Sequence, residues 1–273
     1  PIDRETVSAK YLVGILNSTL GEFWARNKLS TVRGGYLEYR TVHLSEFPVV
    51  ATSESELPSA VKNIIDLISE RRTFNLNLLD YIQPYSNGPS LTDVSIYQPP
   101  EGVGDTKLAA TKEDYENIRV GAVTCERESE STVIVHATAR YKPNDEDAYE
   151  TDQWGYTETE TIPAMRLTDL SKTEADLVEA FVPVAVDKAG GFAGFRETAT
   201  KTNSLVDRLE AITLPDPNDV ADDIKRYREA VERAEELDEK IERTDDLIDE
   251  IVYDLYELTD EEIEIVEEAV ADD

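Results

Sequence analysis

Apolar residues recur at steps of three and four along the C-terminal part of the chain, with charged residues between them. These steps place the apolar side chains on one face of a helix. They predict a long amphipathic helix beginning near Asp219, with one face packed on a partner and the other in solvent. The apolar stripe consists of Val220, Ile224, Tyr227, Val231, Ala234, Leu237, Ile241, Ile248, Ile251, Val252 and Leu255. Thr259 and Glu262 then have the spacing of a capping box, which predicts a short terminal helix.

The helical period also occurs twice in the N-terminal third of the chain. It predicts one helix from Lys10 to Trp24 and a second from about Pro58 to Ile82. Between them, a glycine pair followed by alternating residues over 33–40 predicts a turn and a short strand. The segment Leu44–Val49 closes this first unit, because Pro48 interrupts regular structure.

The period changes to two between Ile118 and Tyr141, where apolar residues alternate with polar ones. Two alternating runs joined by the polar stretch 126–131 predict an antiparallel β-hairpin. A further alternating run predicts a third strand from Trp154 to Ile162. The middle of the chain is therefore expected to contain a small antiparallel sheet.

Helices are predicted after this sheet as well. Ser171 and Glu174 have capping-box spacing and predict a helix that ends before Pro183. A glycine-rich stretch at 190–195 predicts a loop, and the apolar spacing after it predicts a helix from Ser204 to Ile212.

Together these elements predict an α+β fold, in which small mixed α/β recognition modules are joined by two long amphipathic helices that pack together as a coiled-coil spacer. We divide the chain into the end of a first module at 1–49 and a spacer helix at 50–83. A second α+β module with the antiparallel hairpin follows at 84–218, and the long C-terminal helix with a short terminal helix occupies 219–273. Each module ends in a proline turn that runs into a long helix.

The formal net charge is −32, from 59 acidic and 27 basic residues. Taken alone, this charge argues against a nucleic-acid partner, because phosphates repel an acidic surface. Acidic residues spread along most of a chain with few lysines are, however, typical of a halophilic protein from a salt-loaded cytoplasm. At molar salt the Debye length is about 3 Å, so local charge is the better guide to partners. Residues 1–49 are close to neutral, which indicates either a surface kept free of carboxylates or a more buried segment.

Other features of the composition bound the class of protein. No apolar run approaches the roughly 18 residues of a membrane helix, and a single cysteine, Cys125, excludes an internal disulfide. We expect a cytoplasmic protein. The chain begins at Pro1 and its one methionine is Met165, so we also expect it to be the C-terminal piece of a longer polypeptide.

Two segments carry a family resemblance. Residues 248–263, IDEIVYDLYELTDEEI, resemble the C-terminal end of large restriction–modification methylases that fuse an adenine methyltransferase to a DNA-recognition region. Leu16-Asn17-Ser18 in a helix, the pair Gly34-Gly35, and Leu44–Val49 resemble the closing section of a TaqI-like specificity domain. In that family the domain follows the methyltransferase and binds the target duplex. Because the two segments lie at opposite ends of the chain, we expect the resemblance to cover all of it, as in a fused type II or IIG enzyme.

The resemblance implies S-adenosylmethionine as the cofactor of the parent enzyme, but this chain lacks the residues that would hold it. The family's Asp/Asn-Pro-Pro-aromatic tetrapeptide and glycine-rich loop are absent, and Gln98–Glu101 is no acceptable variant. We therefore expect no catalysis and no cofactor in this chain, with both in an upstream methyltransferase domain. Asp93 with Asp105–Lys107 matches metal-nuclease spacing, but such matches arise by chance where 32% of residues are charged. His43 and His136 have no evident Cys or Ser partner.

The candidate DNA contacts combine cations, which bind phosphates or read guanine edges, with glycines, which let backbone approach a strand closely. The main set is Arg26, Lys28, Arg33, Gly34, Gly35, Tyr36, Tyr39 and Arg40. A weaker set is Lys188, Arg196, Lys201 and Asn203. Ordinary surface or packing roles are the alternative for each, and solvated surface or phosphate contact are the alternatives for Arg71 and Arg72.

The resulting functional hypothesis is a target-recognition region that positions double-stranded DNA, with no membrane partner, while the upstream domain flips and methylates adenine at N6. The alternative is a helical scaffold that binds protein and makes no DNA contact. A third reading, a standalone metal-dependent nuclease, rests on Asp93 and Asp105.

Overall fold

A computed structural model describes residues 7–30, 36–38, 41–52, 55–143, 149–188 and 199–271. The fold is α+β, as the sequence predicts. By its internal contacts the chain divides into unit 1, Pro1–Asn75 with Val231–Asp273, and unit 2, Leu76–Ala230. The four-part division of the chain stays a prediction.

The elements occur in the following order along the chain. They are α1 (Ala9–Asn17), α2 (Thr19–Lys28), α3 (Thr41–Leu44), α4 (Leu57–Arg71), α5 (Leu79–Ile82), β1 (Asn87–Ser90), β2 (Ile96–Gln98), β3 (Arg119–Ser129), β4 (Thr132–Tyr141), β5 (Thr157–Glu158), β6 (Ile162–Thr168), α6 (Lys172–Asp187), α7 (Leu205–Glu210), β7 (Thr213–Pro215), α8 (Pro217–Leu255) and α9 (Asp260–Ala271). Within this described part, no helix has both the length and the apolar character needed to cross a bilayer.

The predicted helix from Lys10 to Trp24 is wrong in one respect, because the chain turns a corner at Ser18. Ser18 is extended (φ −73°, ψ 161°), and its hydroxyl accepts a hydrogen bond from the amide of Gly21 while donating one to the carbonyl oxygen of Ile15. Ser18 therefore ends α1 and caps α2, a role in which serine is favoured. The tight corner brings Gly21 against the last turn of α1.

The predicted helix from Pro58 to Ile82 is also wrong, because α4 ends at Arg71. The amides of Thr73 and Phe74 bond three residues back, to the carbonyl oxygens of Glu70 and Arg71. Such bonds tighten and close the last turn of a helix. A β-branched threonine followed by asparagines at 75 and 77 favours this ending over further helix.

In unit 1, α4 packs against the C-terminal part of α8 with the two helices antiparallel. Arg71 Nε lies 2.8 Å and 2.9 Å from the two carboxylate oxygens of Asp238, and Arg233 lies 2.6 Å from a carboxylate oxygen of Glu70. These are exposed pairs, each worth about 0–1 kcal/mol. Most of the stability therefore comes from the shared apolar cluster. Its buried members are Val7, Tyr11, Ile15, Phe47, Leu57, Ala60, Val61, Ile248 and Val252.

Unit 2 is built on an antiparallel sheet with the strand order β2-β6-β4-β3, and β5 pairs with β4. The predicted hairpin is confirmed, although its strands extend further than expected, to Ser129 and from Thr132. Alternate residues of β4, from Val133 to Tyr141, are buried under α6 in the main core of this unit. The opposite face of the sheet carries polar and charged side chains such as Arg140.

Two predictions in unit 2 are wrong in their bounds. Of the predicted third strand Trp154–Ile162, only Thr157–Glu158 forms a strand, β5, and the longer strand β6 starts at Ile162, where that prediction ends. The predicted run alternates one polar residue with another, whereas β6 buries Ala164, Met165 and Leu167 and so has an apolar face. The helix opened by Ser171 does carry the capping box, but it continues through Pro183 to Asp187, because its apolar face packs on the sheet.

The contact between α2 and α8 gives a first testable result. Both carboxylate oxygens of Asp249 accept hydrogen bonds from Thr19, one from the amide at 2.7 Å and one from the hydroxyl at 2.6 Å. A carboxylate is stabilising at a helix N-terminus. We expect Asp249→Ala to lower the free energy of unfolding of unit 1 by about 1–2 kcal/mol. Urea titration with Trp24 fluorescence measures it, and exposed Asp246→Ala is the matched control. If Asp249→Ala and Asp246→Ala lower the free energy of unfolding equally, the capping role of Asp249 is contradicted.

Candidate nucleic-acid interface

The segment after the predicted glycine turn is held in unit 1 by its backbone and one aromatic ring. Phe47 is buried and packs edge-on against Trp24, with ring centroids 4.8 Å apart. The carbonyl oxygen of Pro48 accepts a hydrogen bond from the hydroxyl of Tyr256, and that of Val50 accepts one from Tyr11, each at 2.6 Å. Residues 47–50 are therefore fixed from both the N-terminal and the C-terminal sides of the unit.

These contacts bring together the two segments that carry the family resemblance. Tyr256 and Asp249 belong to the C-terminal segment 248–263, and they bond to Pro48 and Thr19 in the N-terminal one. More than 200 residues separate the partners along the chain. The two distant motifs thus form one structure, and α2 is positioned by it.

Two of the predicted DNA contacts, Arg26 and Lys28, lie in the last turn of α2. Arg26 donates two hydrogen bonds to one carboxylate oxygen of Glu22, at 3.0 Å and 2.7 Å, and Lys28 is exposed. Cations in the last turn also complement the helix dipole, which is the structural alternative for both. Buried Ala25 and Leu29 fix this turn of the helix, so the two cations project from a rigid base.

The remaining residues of the main set follow α2. Tyr36 is described and highly exposed, with 74% of its surface accessible. The amide of Glu38 donates to the carbonyl oxygen of Ser30 at 3.0 Å, which joins the two ends of the segment between them. Arg33, Gly34, Gly35, Tyr39 and Arg40 lie outside the described residues. Whether the eight residues form one surface stays a prediction.

The second predicted set lies on unit 2. Lys188 is exposed at the C-terminal end of α6, beside a cavity of about 400 Å³ that Pro183 and Gly121 also line. Lys201 is exposed as well, while Arg196 lies outside the described residues. Whether the four residues of this set form one surface also stays a prediction.

For Arg71, of the predicted mid-helix pair, the structure supplies a protein partner. Its guanidinium binds the carboxylate of Asp238 on α8, and its side chain is 26% accessible. A phosphate at this position would have to displace that carboxylate. We therefore assign Arg71 to the contact between the two helices.

Two side chains that the sequence singles out, Gln98 and Cys125, have their surroundings defined by the structure. Gln98, at the start of the Pro-Pro segment, accepts a hydrogen bond from Arg166 at 2.7 Å. Burial, with a smaller effect of Glu179, raises the pKa of Cys125, and a protonated thiol is a poor nucleophile. Across the described ranges, no three His, Cys, Asp or Glu side chains are grouped to hold a metal ion.

Sequence reasoning missed one cationic cluster, on the face of the unit 2 sheet opposite α6. Three cations surround the ring of Tyr156. The Cζ atom of Arg119 lies 4.3 Å from the ring centroid, the Nζ atom of Lys142 5.1 Å, and the Cζ atom of Arg140 5.2 Å. Arg119 and Arg140 face each other across the hairpin. Only the hairpin register could have revealed this pairing beforehand.

Comparison with known proteins gives a match for the N-terminal segment. Residues 1–49 match the family model described as the TaqI-like C-terminal specificity domain. No curated protein and no solved structure matched the chain. The matched residues contain all eight members of the main predicted set, from Arg26 to Arg40. The match supports a TaqI-like recognition region at the start of this chain, which implies interaction with DNA and target recognition in a methyltransferase-type protein.

Proposed function

We propose that this chain is the target-recognition region of a site-specific adenine DNA methyltransferase of a restriction–modification system. The observation that carries the proposal is the specificity-domain match over residues 1–49, together with the way unit 1 holds that segment through Tyr256 and Asp249. In this proposal the protein is cytoplasmic, and the chain binds and orients duplex DNA. An upstream domain of the same polypeptide binds S-adenosylmethionine and transfers the methyl group.

Unit 1 would serve as the rigid base of the recognition surface. The apolar cluster and the hydrogen bonds at Pro48 and Val50 fix the closing part of the matched segment. Arg26 and Lys28 would contact phosphates, which sets the position of the duplex without reading its sequence. Residues 33–40, which combine two glycines with Arg33, Tyr36, Tyr39 and Arg40, would supply the base contacts.

The acidic composition sets the conditions of such binding. A net charge of −32 repels DNA at low ionic strength, whereas salt near molar concentration screens that repulsion to within a few ångströms. The same salt weakens phosphate contacts. We propose that the protein is adapted to concentrated salt, where the local cations of the matched segment decide whether DNA binds.

Duplex binding tests the proposal directly. We expect the chain to bind a labelled mixed-sequence duplex, and a variant with glutamine at four cations to bind about 30-fold more weakly in the same KCl. The four are Arg26, Lys28, Arg33 and Arg40. Fluorescence anisotropy over a series of KCl concentrations measures the dissociation constant. The matched control places glutamine at four exposed helical cations, Lys62, Lys225, Lys240 and Arg243.

The control removes the same net charge, so it isolates position from overall charge. If the two variants weaken binding equally, the matched segment is not the contact surface. If the unaltered chain binds no duplex at any KCl concentration, the recognition proposal is wrong.

One observation favours the alternative of a helical scaffold without DNA contact. Ile65 on α4 and Leu247 on α8 are each 45% exposed, and Leu247 lines a groove of about 620 Å³ in unit 1. Apolar side chains on a helix pair are a common feature of protein-binding surfaces. The scaffold predicts a chain without duplex affinity, which is the outcome that would exclude the DNA proposal.

A further inference from the structure

The cluster around Tyr156 sits on a turn that the structure holds firmly. One carboxylate oxygen of Asp152 accepts hydrogen bonds from the amides of Trp154 and Tyr156, both at 2.9 Å, and the other accepts one from Arg140. Gly155 adopts a positive φ of 77°, which glycine tolerates without strain. These contacts, led by the Tyr156 amide, hold the pKa of Asp152 below its usual value. The turn therefore presents its aromatic residues in a defined arrangement.

Two of the three cations at this ring are available for a ligand. Arg140 is engaged by Asp152, whereas exposed Arg119 and Lys142 make no hydrogen bond or ion pair with any residue in the described ranges. The cation–π contacts with Tyr156 place both groups without using their N–H donors. Placing like charges together costs free energy, and a bound anion offsets that cost.

The carboxylate of Glu158 on β5 feels the charges of Arg140 and Arg119, and its hydrogen bonds come from other groups. It accepts hydrogen bonds from the hydroxyl of Thr138 and, at 3.1 Å, from the amide of Ala122. The hydrogen bond from the Thr138 hydroxyl lowers the pKa of Glu158, although partial burial opposes this. The Ala122 amide and the charges of Arg140 and Arg119 lower the pKa by smaller amounts. Glu158 is thus held over the hairpin. Three carboxylates at 145–147 are near in sequence and lie outside the described residues.

Trp154 lies two residues before Tyr156 in the same turn, and Tyr149 precedes that turn with its ring against Tyr141. Trp154 is 63% exposed and Tyr149 is 51% exposed. Surfaces that combine cations with exposed rings are typical of nucleic-acid binding, because phosphates pair with the cations and unstacked bases stack on the rings. An acidic peptide would satisfy the cations alone and leave the indole ring in water.

We propose that Arg119, Lys142, Tyr156 and Trp154, called the unit 2 patch, form a second DNA-contacting surface outside the matched segment. Arg119 and Lys142 bind backbone phosphates, and Trp154 stacks on a base exposed by opening of the duplex. The proposal rests on the proposed function in one respect, which is that the chain binds DNA. It extends recognition from unit 1 to unit 2.

The salt dependence of DNA binding tests the unit 2 patch. We expect Arg119→Gln/Lys142→Gln to weaken binding about tenfold and to reduce the slope of log affinity against log salt by about 2. The matched control is Lys225→Gln/Arg226→Gln, which removes an exposed lysine and arginine from α8 within the same unit. Anisotropy titrations of the full 273-residue chain with a labelled duplex measure both quantities.

Tryptophan fluorescence gives a second readout that does not depend on affinity. In a Trp24→Phe background the remaining emission comes from Trp154 alone. We expect DNA carrying an unpaired base to quench it, and the double variant to lose this quenching. No change in emission at saturating DNA would overturn the stacking role of Trp154.

The outcomes separate the two proposals. A double variant with the affinity and salt slope of its control overturns the unit 2 patch and leaves the unit 1 surface standing. A chain that binds no DNA overturns both. Polyglutamate that competes as well as DNA at equal charge overturns the unit 2 patch as a DNA surface and assigns it to an acidic protein partner.

Discussion

Replacing Gly21 with alanine is expected to destabilise unit 1 by about 3 kcal/mol or more. A Cβ atom at this position would overlap the carbonyl oxygen of Ile15 and lie 2.9 Å from that of Leu16. Both atoms are backbone, so no side chain can rotate away, and relief requires opening the corner at Ser18. That corner positions α2, which carries Arg26 and Lys28. We therefore expect DNA affinity to fall together with stability.

The measurement is urea unfolding followed by Trp24 fluorescence in a Trp154→Phe background, where the signal reports unit 1 alone. The control is Gly104→Ala in unit 2, where a Cβ atom would meet no atom within 4 Å, so unit 1 should unfold as in the unaltered chain. A change below about 0.5 kcal/mol is expected for the control. If Gly21→Ala unfolds at the same urea concentration as the control, the close approach of α1 and α2 is incorrect.

The same corner shows where periodicity alone fails as a guide. Apolar spacing continues through Ser18, so it predicts one helix from Lys10 to Trp24. Ser18 can nevertheless cap a new helix, and Gly21, which has no side chain, allows the backbone of α1 to come close. The corner forms because α1 and α2 each gain a buried face in unit 1, which is a tertiary effect. The helix α4 ends at Arg71 for a similar reason. Where its apolar contacts end, the turn preference of Thr73 decides the backbone conformation.

In unit 2, alternation predicted strands correctly only where one set of residues is apolar. The hairpin β3–β4 buries alternate positions and was predictable. The run before Ile162 has no apolar set and forms only the two-residue strand β5, whereas β6, where Met165 and Leu167 enter the core, is seven residues long. Capping boxes at Ser171 and Thr259 were the most reliable local signals, because both partners lie within four residues.

The candidate site divides in the same way. Arg26, Lys28 and Tyr36 could be proposed from the sequence because they lie in one short segment with a family resemblance. The unit 2 patch joins Arg119 to Lys142 through strand register and a ring contact, which no spacing rule contains. A candidate site within one segment can therefore be proposed from a single sequence, whereas a candidate site assembled across a sheet cannot.

The second large effect is expected at Asp176, a buried carboxylate that links β3 to α6. Its two oxygens accept hydrogen bonds from Arg127 and Lys172, both at 2.7 Å, and Arg127 also binds Glu179 at 2.8 Å. Asp176→Asn keeps the shape and removes the charge, which leaves the partly buried guanidinium of Arg127 with less compensation, whereas Lys172 is exposed. We expect a loss of about 2–3 kcal/mol, below the usual cost of breaking a buried pair because Arg127 retains Glu179.

The pH dependence of this loss distinguishes charge from shape. Burial alone would raise the pKa of Asp176, but hydrogen bonds from Lys172 and Arg127 outweigh it and lower the pKa below its usual value. A group whose pKa is lower in the folded state stabilises it above the unfolded pKa of about 4 and stops doing so as pH falls through the folded value. The difference between the unaltered chain and Asp176→Asn should therefore be constant from neutral pH down to about pH 5 and shrink below about pH 4.

Thermal unfolding followed by circular dichroism, repeated across this pH range, measures the difference. The matched control is Asp223→Asn, whose partner Arg226 is 66% exposed, so its loss should stay within about 1 kcal/mol. A loss at Asp176 that persists unchanged at the lowest pH would mean that packing, and not the ion pairs, joins α6 to the sheet that carries the unit 2 patch.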